Sequence, residues 1–322
     1  MSDVVVPRFG YGTANVGNLF RALSDDDAWE ILQAAWDAGV RYFDTAPHYG
    51  LGLSEKRLGA FLQTKPRDQF TVSTKVGRLL RPNPDWAGEL DTAHDFAVPA
   101  QLRRQFDFST EGIHTSVAES LERTGLDRFD ILYLHDPERA EVPMSIDERL
   151  VSALSAMAEL RDAGQVRAIG VGAMTTDTLL RAARINHTDL LMVAGRFTLA
   201  EQPALDDVIP ACRENGVGIV NASVFNSGLL AKTRPSFDAR YEYGDVPVEI
   251  LDRVTAIAEI CREFDVEVPT AALQYTLREP TVHSVVAGAS SAEQVRQNAE
   301  RMNAPVPDAF WTALADRGLT PA

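Results

Sequence analysis

The fold of this chain is indicated by one stretch of its sequence, FDILYLHDPERAEVPMSIDERLVSALSAMAELRDAGQVRAIGVG, residues 129–172. Two short apolar runs, FDILYLH (129–135) and VRAIGVG (166–172), flank a longer amphipathic segment at 146–163. Short apolar runs are typical of buried strands, and the apolar spacing between them is typical of a helix. The stretch therefore predicts a strand, a crossover helix and a second strand parallel to the first.

The same alternation continues over the whole chain. Further strands are predicted at 4–12, 41–45, 70–76, 190–195, 217–223 and 284–289, and further helices at 25–38, 54–63, 110–124, 176–185, 203–215, 249–278 in two pieces, and 291–301. Eight strands with helices between them are the pattern of a (β/α)8 barrel. A doubly wound sheet in two halves gives the same local alternation, but it needs a linker or a change of composition near the middle. We therefore predict an α/β fold, a (β/α)8 TIM barrel, as a single domain over residues 1–322.

Helix start signals and two long loops support this interpretation. Ser24 precedes three aspartates, and Ser291 stands at the start of the last predicted helix, so each is a predicted N-cap. The segments 81–99 and 232–248 are rich in turn-forming residues and follow the third and seventh strands. In a parallel barrel both are loops at the carboxyl ends of strands, where active sites are built.

Composition limits the possible partners. Among 322 residues, 31 are basic and 46 acidic, which gives a net charge of −15 and repels nucleic acid and anionic membrane surfaces. The amino terminus lacks a signal-peptide pattern, and no apolar run reaches about 18 residues, so we expect no membrane contact. Cys212 and Cys261 fall in predicted helices, which favours packing roles in a cytoplasmic protein. No H-E-x-x-H, H-x-H or CxxC spacing is present, so no metal site is predicted.

Three glycine clusters do not complete a phosphate-binding motif. Asn15 stands where G-x-G-x-x-G requires a third glycine after Gly10 and Gly12, and Thr175 does so after GVG at 170–172. The spacing from Gly12 to Gly17 is that of a P-loop, but Asn18 replaces the lysine. These glycines predict tight strand-to-helix turns, and a nicotinamide cofactor would not be held by a Rossmann fingerprint.

Ionisable residues follow three strands at their carboxyl ends. Asp44 and Tyr49 follow the second strand, Lys75 ends the third, and His135 ends the fourth. Each alone has a structural interpretation, as a cap, a half-buried aromatic residue, a salt-bridge partner or a satisfied histidine. Together they form a proton-transfer set, since a lysine held by a carboxylate stabilises a phenolate and an imidazole orients a substrate oxygen.

Four motifs carry a family resemblance. FDTAPHYGLGLSEKRLG, VSTKVGR, FDILYLHDP and VVAGASSAEQVRQNA resemble the aldo-keto reductase superfamily, in register from Gly10 to Asn298. The resemblance implies a barrel that binds NAD(P) at its carboxyl face and uses a catalytic tetrad, here Asp44, Tyr49, Lys75 and His135. PRFGYGTANVGNLF, GRLLRPNP, LHDPE and SVFNSGLL most resemble the branch that contains D-threo-aldose (L-fucose) 1-dehydrogenases and pyridoxal 4-dehydrogenase. This implies oxidation of a cyclic hemiacetal, in an aldose or in pyridoxal, to a lactone.

The resemblance also assigns binding positions. For the cofactor they are Gly12, Thr13, Asp44, Asn221, Ser223, Phe225, Ser227, Gly228, Gly288, Gln294 and Asn298. The residues that usually bind the carboxamide and stack on the nicotinamide are replaced by Gly172, Ala173, Ala194 and Ala222, and we expect Asn221 and Phe225 to compensate. Residues 288–294 contain no base, so we predict NAD as cofactor, with NADP as the alternative. Predicted substrate contacts are Tyr49 and His135, with Trp86, Tyr241 and Tyr243 as stacking candidates.

Two other functional classes remain open on the sequence. A non-catalytic nucleotide-sensing subunit would share the fold, but the complete tetrad disfavours it. A metal-dependent or Schiff-base enzyme would use Lys75 as its nucleophile, with Tyr49 and His135 in supporting roles.

Overall fold

The structure, a computed structural model, describes residues 6–234, 240–241 and 244–321, and of Arg240 only the backbone. Eight parallel strands close into a barrel in which each strand pairs with the next and the last pairs with the first. The strands are β1 (Phe9–Gly12), β2 (Tyr42–Asp44), β3 (Thr71–Val76), β4 (Ile131–His135), β5 (Ala168–Ala173), β6 (Leu190–Ala194), β7 (Gly218–Ala222) and β8 (Val282–Gly288). The predicted (β/α)8 barrel is confirmed.

The barrel strands are buried on both faces, which explains their nearly continuous apolar sequences. Alternate strand positions form one buried cluster with a hydroxyl-rich centre, in which the Tyr42 hydroxyl lies 3.0 Å from Ser73 Oγ. Its apolar members are Tyr42, Ile131, Tyr133, Ala168, Leu190, Met192, Val220 and Val286. The intervening positions, such as Phe43 and Leu132, belong to a larger cluster shared with the helices. The core therefore has one layer inside the barrel and one between barrel and helices.

The helices follow the predicted order. They are α1 (Asp25–Asp37), α2 (Leu53–Leu62), α3 (Thr110–Thr124), α4 (Ile146–Asp162), α5 (Thr176–Ala183), α6 (Val208–Asn215), α7 (Val248–Glu263), α8 (Val268–Tyr275), α9 (Ala292–Asn303) and α10 (Asp308–Asp316). Ser24 caps α1 and Ser291 caps α9, as predicted. The short α10 was missed; its Phe310 and Trp311 pack on Phe264 and Tyr275. Among the helices described, none is both long and apolar enough to cross a bilayer.

The two cysteines are packing residues, as expected. Cys212 lies in α6 and Cys261 in α7, and both thiols are buried and unpaired. Burial raises the pKa of each thiol to about 12, so neither is a reactive thiolate at neutral pH.

The segment predicted as a rim loop after β3 has more structure than expected. Arg78–Pro82 pairs antiparallel with Leu102–Phe106, and this rim hairpin carries a single helical turn at Thr92–His94. A bridge from Leu19 to Phe96 ties its tip to the loop after β1. The pairing satisfies the backbone groups that a bare loop would leave to water. In the second long segment Tyr241 pairs with Gly244, whereas Tyr243 lies outside the described residues.

Candidate active site

The four residues of the predicted tetrad meet at the carboxyl rim. Asp44 ends β2, Lys75 lies near the end of β3, and His135 ends β4. Lys75 Nζ donates to Asp44 Oδ2 at 2.6 Å and to the carbonyl of Thr45 at 3.0 Å. It also hydrogen-bonds with the Tyr49 hydroxyl and lies 4.8 Å from the centre of that ring. Acid, amine and phenol therefore form one chain of contacts.

Electrostatics keep Lys75 protonated. Its side chain is 3% exposed, and burial alone would lower its pKa, but the Asp44 carboxylate and the Tyr49 hydroxyl raise the pKa above its ordinary value. Asp44 is held in turn by the Ser73 hydroxyl, which donates to Oδ1 at 2.7 Å. A permanently charged ammonium stabilises a phenolate next to it. It is a poor Schiff-base nucleophile, because that chemistry needs the neutral amine.

His135 is buried and neutral. Burial lowers its pKa well below the ordinary value, and the charges of Arg78 and Lys75 act in the same direction. Its ring stands nearly perpendicular to that of Tyr49, with 6.0 Å between the centres. A neutral imidazole beside a phenol can share one substrate oxygen with it.

Two glycines position the backbone of Tyr49. Gly50 has a left-handed conformation, φ +61°, and a Cβ there would lie 2.1 Å from the carbonyl oxygen of Gly17. A Cβ on Gly17 would lie 2.9 Å from the carbonyl carbon of Tyr49. The loops after β1 and β2 thus touch backbone to backbone, a contact that side chains would prevent.

A buried hydroxyl cluster supports the end of β2. Thr13 Oγ1 donates to the carbonyl of Asp44 at 2.8 Å and lies 2.7 Å from Ser54 Oγ, which is 2.9 Å from Thr45 Oγ1. Thr13 is fully buried. The hydroxyl of this residue, predicted to contact the cofactor, instead links the loop after β1 to the end of β2 and to α2.

A cavity of about 1150 Å³ runs from the tetrad along the rim. Its wall includes most of the predicted cofactor positions, namely Gly12, Asp44, Ser223, Phe225, Ser227, Gly228, Gly288 and Gln294. Asn221 and Asn298, like Thr13, are buried and do not line it; Asn221 Nδ2 donates to the carbonyl of Phe197 at 2.7 Å. Those three predicted contacts are not supported by the structure.

The cavity wall fits an extended dinucleotide. Ser223, Asn226, Ser227 and Gly228 all have positive φ, so the loop after β7 turns tightly beside the cavity, and Ser223, Ser227 and Gly228 belong to the cavity wall. The N–H groups of Asn226 and Gly228 donate to the carbonyls of Ser223 and Phe225 within this loop. The amino end of α9 follows Gly288, has Gln294 in its first turn and adds a helix dipole. Gly172, Ala194 and Ala222 also line the cavity, whereas Ala173 is buried in β5, so none of these four offers a polar side chain to a carboxamide.

Trp86 and Tyr241, two of the predicted stacking residues, lie outside this cavity. Trp86 is 37% exposed and donates from Nε1 to the carbonyl of Glu89 at 3.0 Å, and the Tyr241 hydroxyl hydrogen-bonds with Glu201. Neither lines the cavity that the described residues enclose. Besides Tyr49, Phe225 and three histidines, its wall carries the aromatic rings of Phe20, Phe96 and Phe106. Their positions depend on the paths of the loops and of the rim hairpin, which no periodic pattern of apolar residues predicts.

Charged side chains form the wall beyond the tetrad. Arg78 Nη2 donates to Asp136 Oδ2 at 2.7 Å, and Arg104 makes a two-pronged pair with Asp91. This wall was not predicted from the sequence, because its charged residues do not form a motif with a recognisable spacing. Within the described part of the chain, no group of three or more His, Cys, Asp or Glu side chains is arranged to hold a metal ion.

An unexpected cation, Arg21, contacts the far end of the cavity wall from outside the cavity. Gln294 Oε1 accepts from the backbone N–H of Ser290 at 2.8 Å, while Arg21 Nη2 donates to the carbonyl of Ser290 at 2.6 Å. Arg296 instead faces Glu293 at 3.5 Å and does not line this cavity. The charge next to residues 288–294 therefore comes from the loop after β1.

Comparison with known proteins agrees with this geometry. A model described as the aldo/keto reductase family matches residues 8–316. A D-threo-aldose 1-dehydrogenase from Pseudomonas sp is 59% identical over 99% of this chain and 96% of that protein. A pyridoxal 4-dehydrogenase from Microbacterium luteolum is 36% identical over 99% and 96%. A solved glycerol dehydrogenase from Gluconobacter oxydans has a TM-score of 0.75 at 21% identity, covering 99% of this chain and 95% of its own, and supports the fold alone.

Proposed function

Since the chain belongs to the aldo/keto reductase family, we propose that it oxidises the hemiacetal carbon of an aldose to a lactone, using a nicotinamide nucleotide. The observation that carries this proposal is the contact chain from Asp44 through Lys75 to Tyr49, at the base of a cavity that also contains His135. The relative named as a D-threo-aldose 1-dehydrogenase supports the substrate class.

The proposed mechanism uses the tetrad for proton transfer. Tyr49, as phenolate, takes the proton from the hemiacetal hydroxyl, and Lys75 stabilises that phenolate. Asp44 holds Lys75 in place, and neutral His135 orients the same substrate oxygen. A bound nicotinamide nucleotide would supply the hydride acceptor for the hemiacetal carbon. Its pyrophosphate would be held by residues 223–228 and its adenosine end by Gly288 and Gln294.

The product defines the favoured direction. Loss of a hydride and a proton from a cyclic hemiacetal leaves a lactone, and hydrolysis of the lactone removes product. We therefore expect oxidation to dominate in practice. Mass spectrometry of the product should show the lactone or its hydrolysed acid; an alcohol formed from an open-chain aldehyde as sole product would contradict the proposal.

Pyridoxal is the second candidate substrate, because a pyridoxal 4-dehydrogenase is 36% identical to this chain and closed pyridoxal is also a cyclic hemiacetal. The higher identity to the D-threo-aldose 1-dehydrogenase, 59% against 36%, places an aldose first. A non-catalytic nucleotide sensor would not need a buried, charge-paired lysine against a phenol.

The deciding experiment is a dehydrogenase screen. The purified chain is given a panel of aldoses, or pyridoxal, with NAD⁺ or NADP⁺, and formation of reduced nucleotide is followed by its near-ultraviolet absorbance. We expect turnover with aldoses of the D-threo series. Turnover with pyridoxal alone would transfer the proposal to the second candidate, and no turnover with either would refute both.

The remaining parts of the proposal concern cofactor choice and setting. We propose NAD over NADP, because no side chain of residues 288–294 carries a positive charge against a 2′-phosphate.

We also propose that the chain acts as one domain over residues 1–322 in the cytoplasm, with a small-molecule substrate as its partner. Two buried, unpaired thiols suit a reducing compartment.

A further inference from the structure

Arg104 on the rim hairpin is fully engaged by protein groups. Its Nε donates to His48 Nδ1, and its Nη2 donates to the carbonyl of His48 at 2.9 Å. Nη1 and Nη2 also donate to the two carboxylate oxygens of Asp91 at 2.9 and 2.6 Å, and Nη1 lies 3.1 Å from His94 Nδ1. All three nitrogens of the guanidinium thus have protein partners. Arg104 supports its neighbours rather than offering itself to a ligand.

These contacts fix the tautomer of His48. An arginine Nε can only donate, so His48 Nδ1 accepts and carries no proton. Burial holds the pKa of His48 well below its ordinary value, and the charge of Arg104 lowers it further. The neutral ring must then carry its proton on Nε2. His48 is therefore a hydrogen-bond donor of fixed orientation.

His48 stands next to the reacting position. It lines the same cavity as the tetrad, with its ring centre 5.5 Å from that of His135 and 6.1 Å from that of Tyr49. The edge-on ring of Phe96, 5.4 Å away, packs against it on another side. An oxygen held between Tyr49 and His135 therefore has His48 as a neighbouring polar side chain on the same cavity wall.

We propose that His48 is the specificity-determining residue that donates a hydrogen bond to the hydroxyl on the carbon next to the hemiacetal carbon, with Arg104 and Asp91 as its positioning residues. This rests on the proposed function. An aldose in its ring form carries a hydroxyl on that carbon, whereas in closed pyridoxal the corresponding atom is an aromatic carbon without one. A site built to bond a hydroxyl rejects an analogue that lacks it, because the donor is left unpaired.

The test removes the donor from the enzyme and the hydroxyl from the substrate. Wild type and His48→Leu are assayed for kcat/KM with the best aldose and with its 2-deoxy analogue. We expect His48→Leu to lose about tenfold on the aldose, or about 1.4 kcal/mol, and less than about twofold on the 2-deoxy sugar. His48→Gln, which keeps an acceptor and an N–H donor, should recover part of the discrimination. Equal losses on both sugars would overturn the proposal.

Controls separate this proposal from the proposed function and from misfolding. His114→Leu makes the same chemical change at an exposed position on α3 and should alter neither sugar's kinetics. If His48→Leu does not fold, Arg104→Lys takes its place; it keeps the charge but removes the Nε–H, and unchanged discrimination between the sugars would count against the assignment. A wild type that oxidises no aldose refutes the proposed function itself. A wild type that oxidises aldoses but accepts the 2-deoxy sugar equally well refutes only the role of His48.

Discussion

At the scale of single residues, the proton transfer depends on the Tyr49 hydroxyl. Tyr49→Phe removes the transferable proton and keeps the ring, so we expect kcat/KM to fall about a hundredfold to ten-thousandfold. The dissociation constant for the nucleotide, measured by fluorescence titration, should stay within about twofold because the cavity wall is otherwise intact. A variant that keeps most of its activity would show that Tyr49 is not the acid and base of the reaction.

Lys75 sets the pH at which Tyr49 becomes a base. Its ammonium, kept charged by Asp44, favours the phenolate, so its removal means that Tyr49 ionises only at higher pH. We expect Lys75→Met to move the rising limb of kcat/KM for oxidation to higher pH. Lys56→Met, at an exposed position on α2, is the matched control and should leave the profile unchanged. The same profile in both variants would exclude an electrostatic role for Lys75.

At the scale of elements, the contact between the loops after β1 and β2 positions the site. Gly50→Ala puts a Cβ 2.1 Å from the carbonyl oxygen of Gly17, and one of the two loops must move. Gly39→Ala is the matched control, since Gly39 also has positive φ, +85°, but its Cβ would meet nothing within 4 Å. We expect Gly39→Ala to cost only the conformational strain, about 1–2 kcal/mol in the free energy of unfolding.

Gly50→Ala should cost more than Gly39→Ala in denaturant unfolding and should also lower kcat, because the displaced loop carries Tyr49. The two measurements answer different questions. Equal stabilities with equal activities would mean that the close approach of the two loops has no part in positioning the tyrosine.

At the scale of the whole molecule, we predict that cofactor choice depends on residues that are distant in sequence. Arg21, in the loop after β1, donates to the carbonyl of Ser290, 269 positions later in the chain, and places a charge beside the end of the cavity that we propose for the adenosine. We predict that wild type prefers NAD⁺ in kcat/KM. Arg21→Ala should reduce the remaining activity with NADP⁺ several-fold more than the activity with NAD⁺, since only NADP⁺ carries the 2′-phosphate.

Arg296→Ala serves as the control for this prediction. Arg296 lies in α9, where it pairs with Glu293 three residues before it and does not line the cavity. Its removal should leave the ratio of the two cofactors unchanged. A wild-type preference for NADP⁺ of about tenfold, or about 1.4 kcal/mol, would contradict the predicted choice of NAD.

The sequence by itself determined the barrel and the meeting of Asp44, Lys75 and His135 at one rim. Both follow from local periodicity: a strand that is buried on both faces must be apolar along its length, and the carboxyl ends of parallel strands share one edge. A residue placed at a strand end is therefore placed in space as well. Tyr49 was predicted at the same rim because it lies only five residues beyond Asp44.

Only the tertiary structure decided which other side chains reach the cavity. Trp86 and Tyr241 form hydrogen bonds outside the cavity. Arg104 contacts His48, which is 56 residues away in the sequence, and Arg21 contacts Ser290, which is 269 residues away. Such contacts depend on the paths of loops, and those paths are fixed by backbone pairings such as the rim hairpin rather than by any repeat of apolar residues. Local sequence patterns predict helices and strands because each of these elements has a repeating backbone geometry. Contacts between loops have no repeating geometry, so they form only when the whole chain is folded.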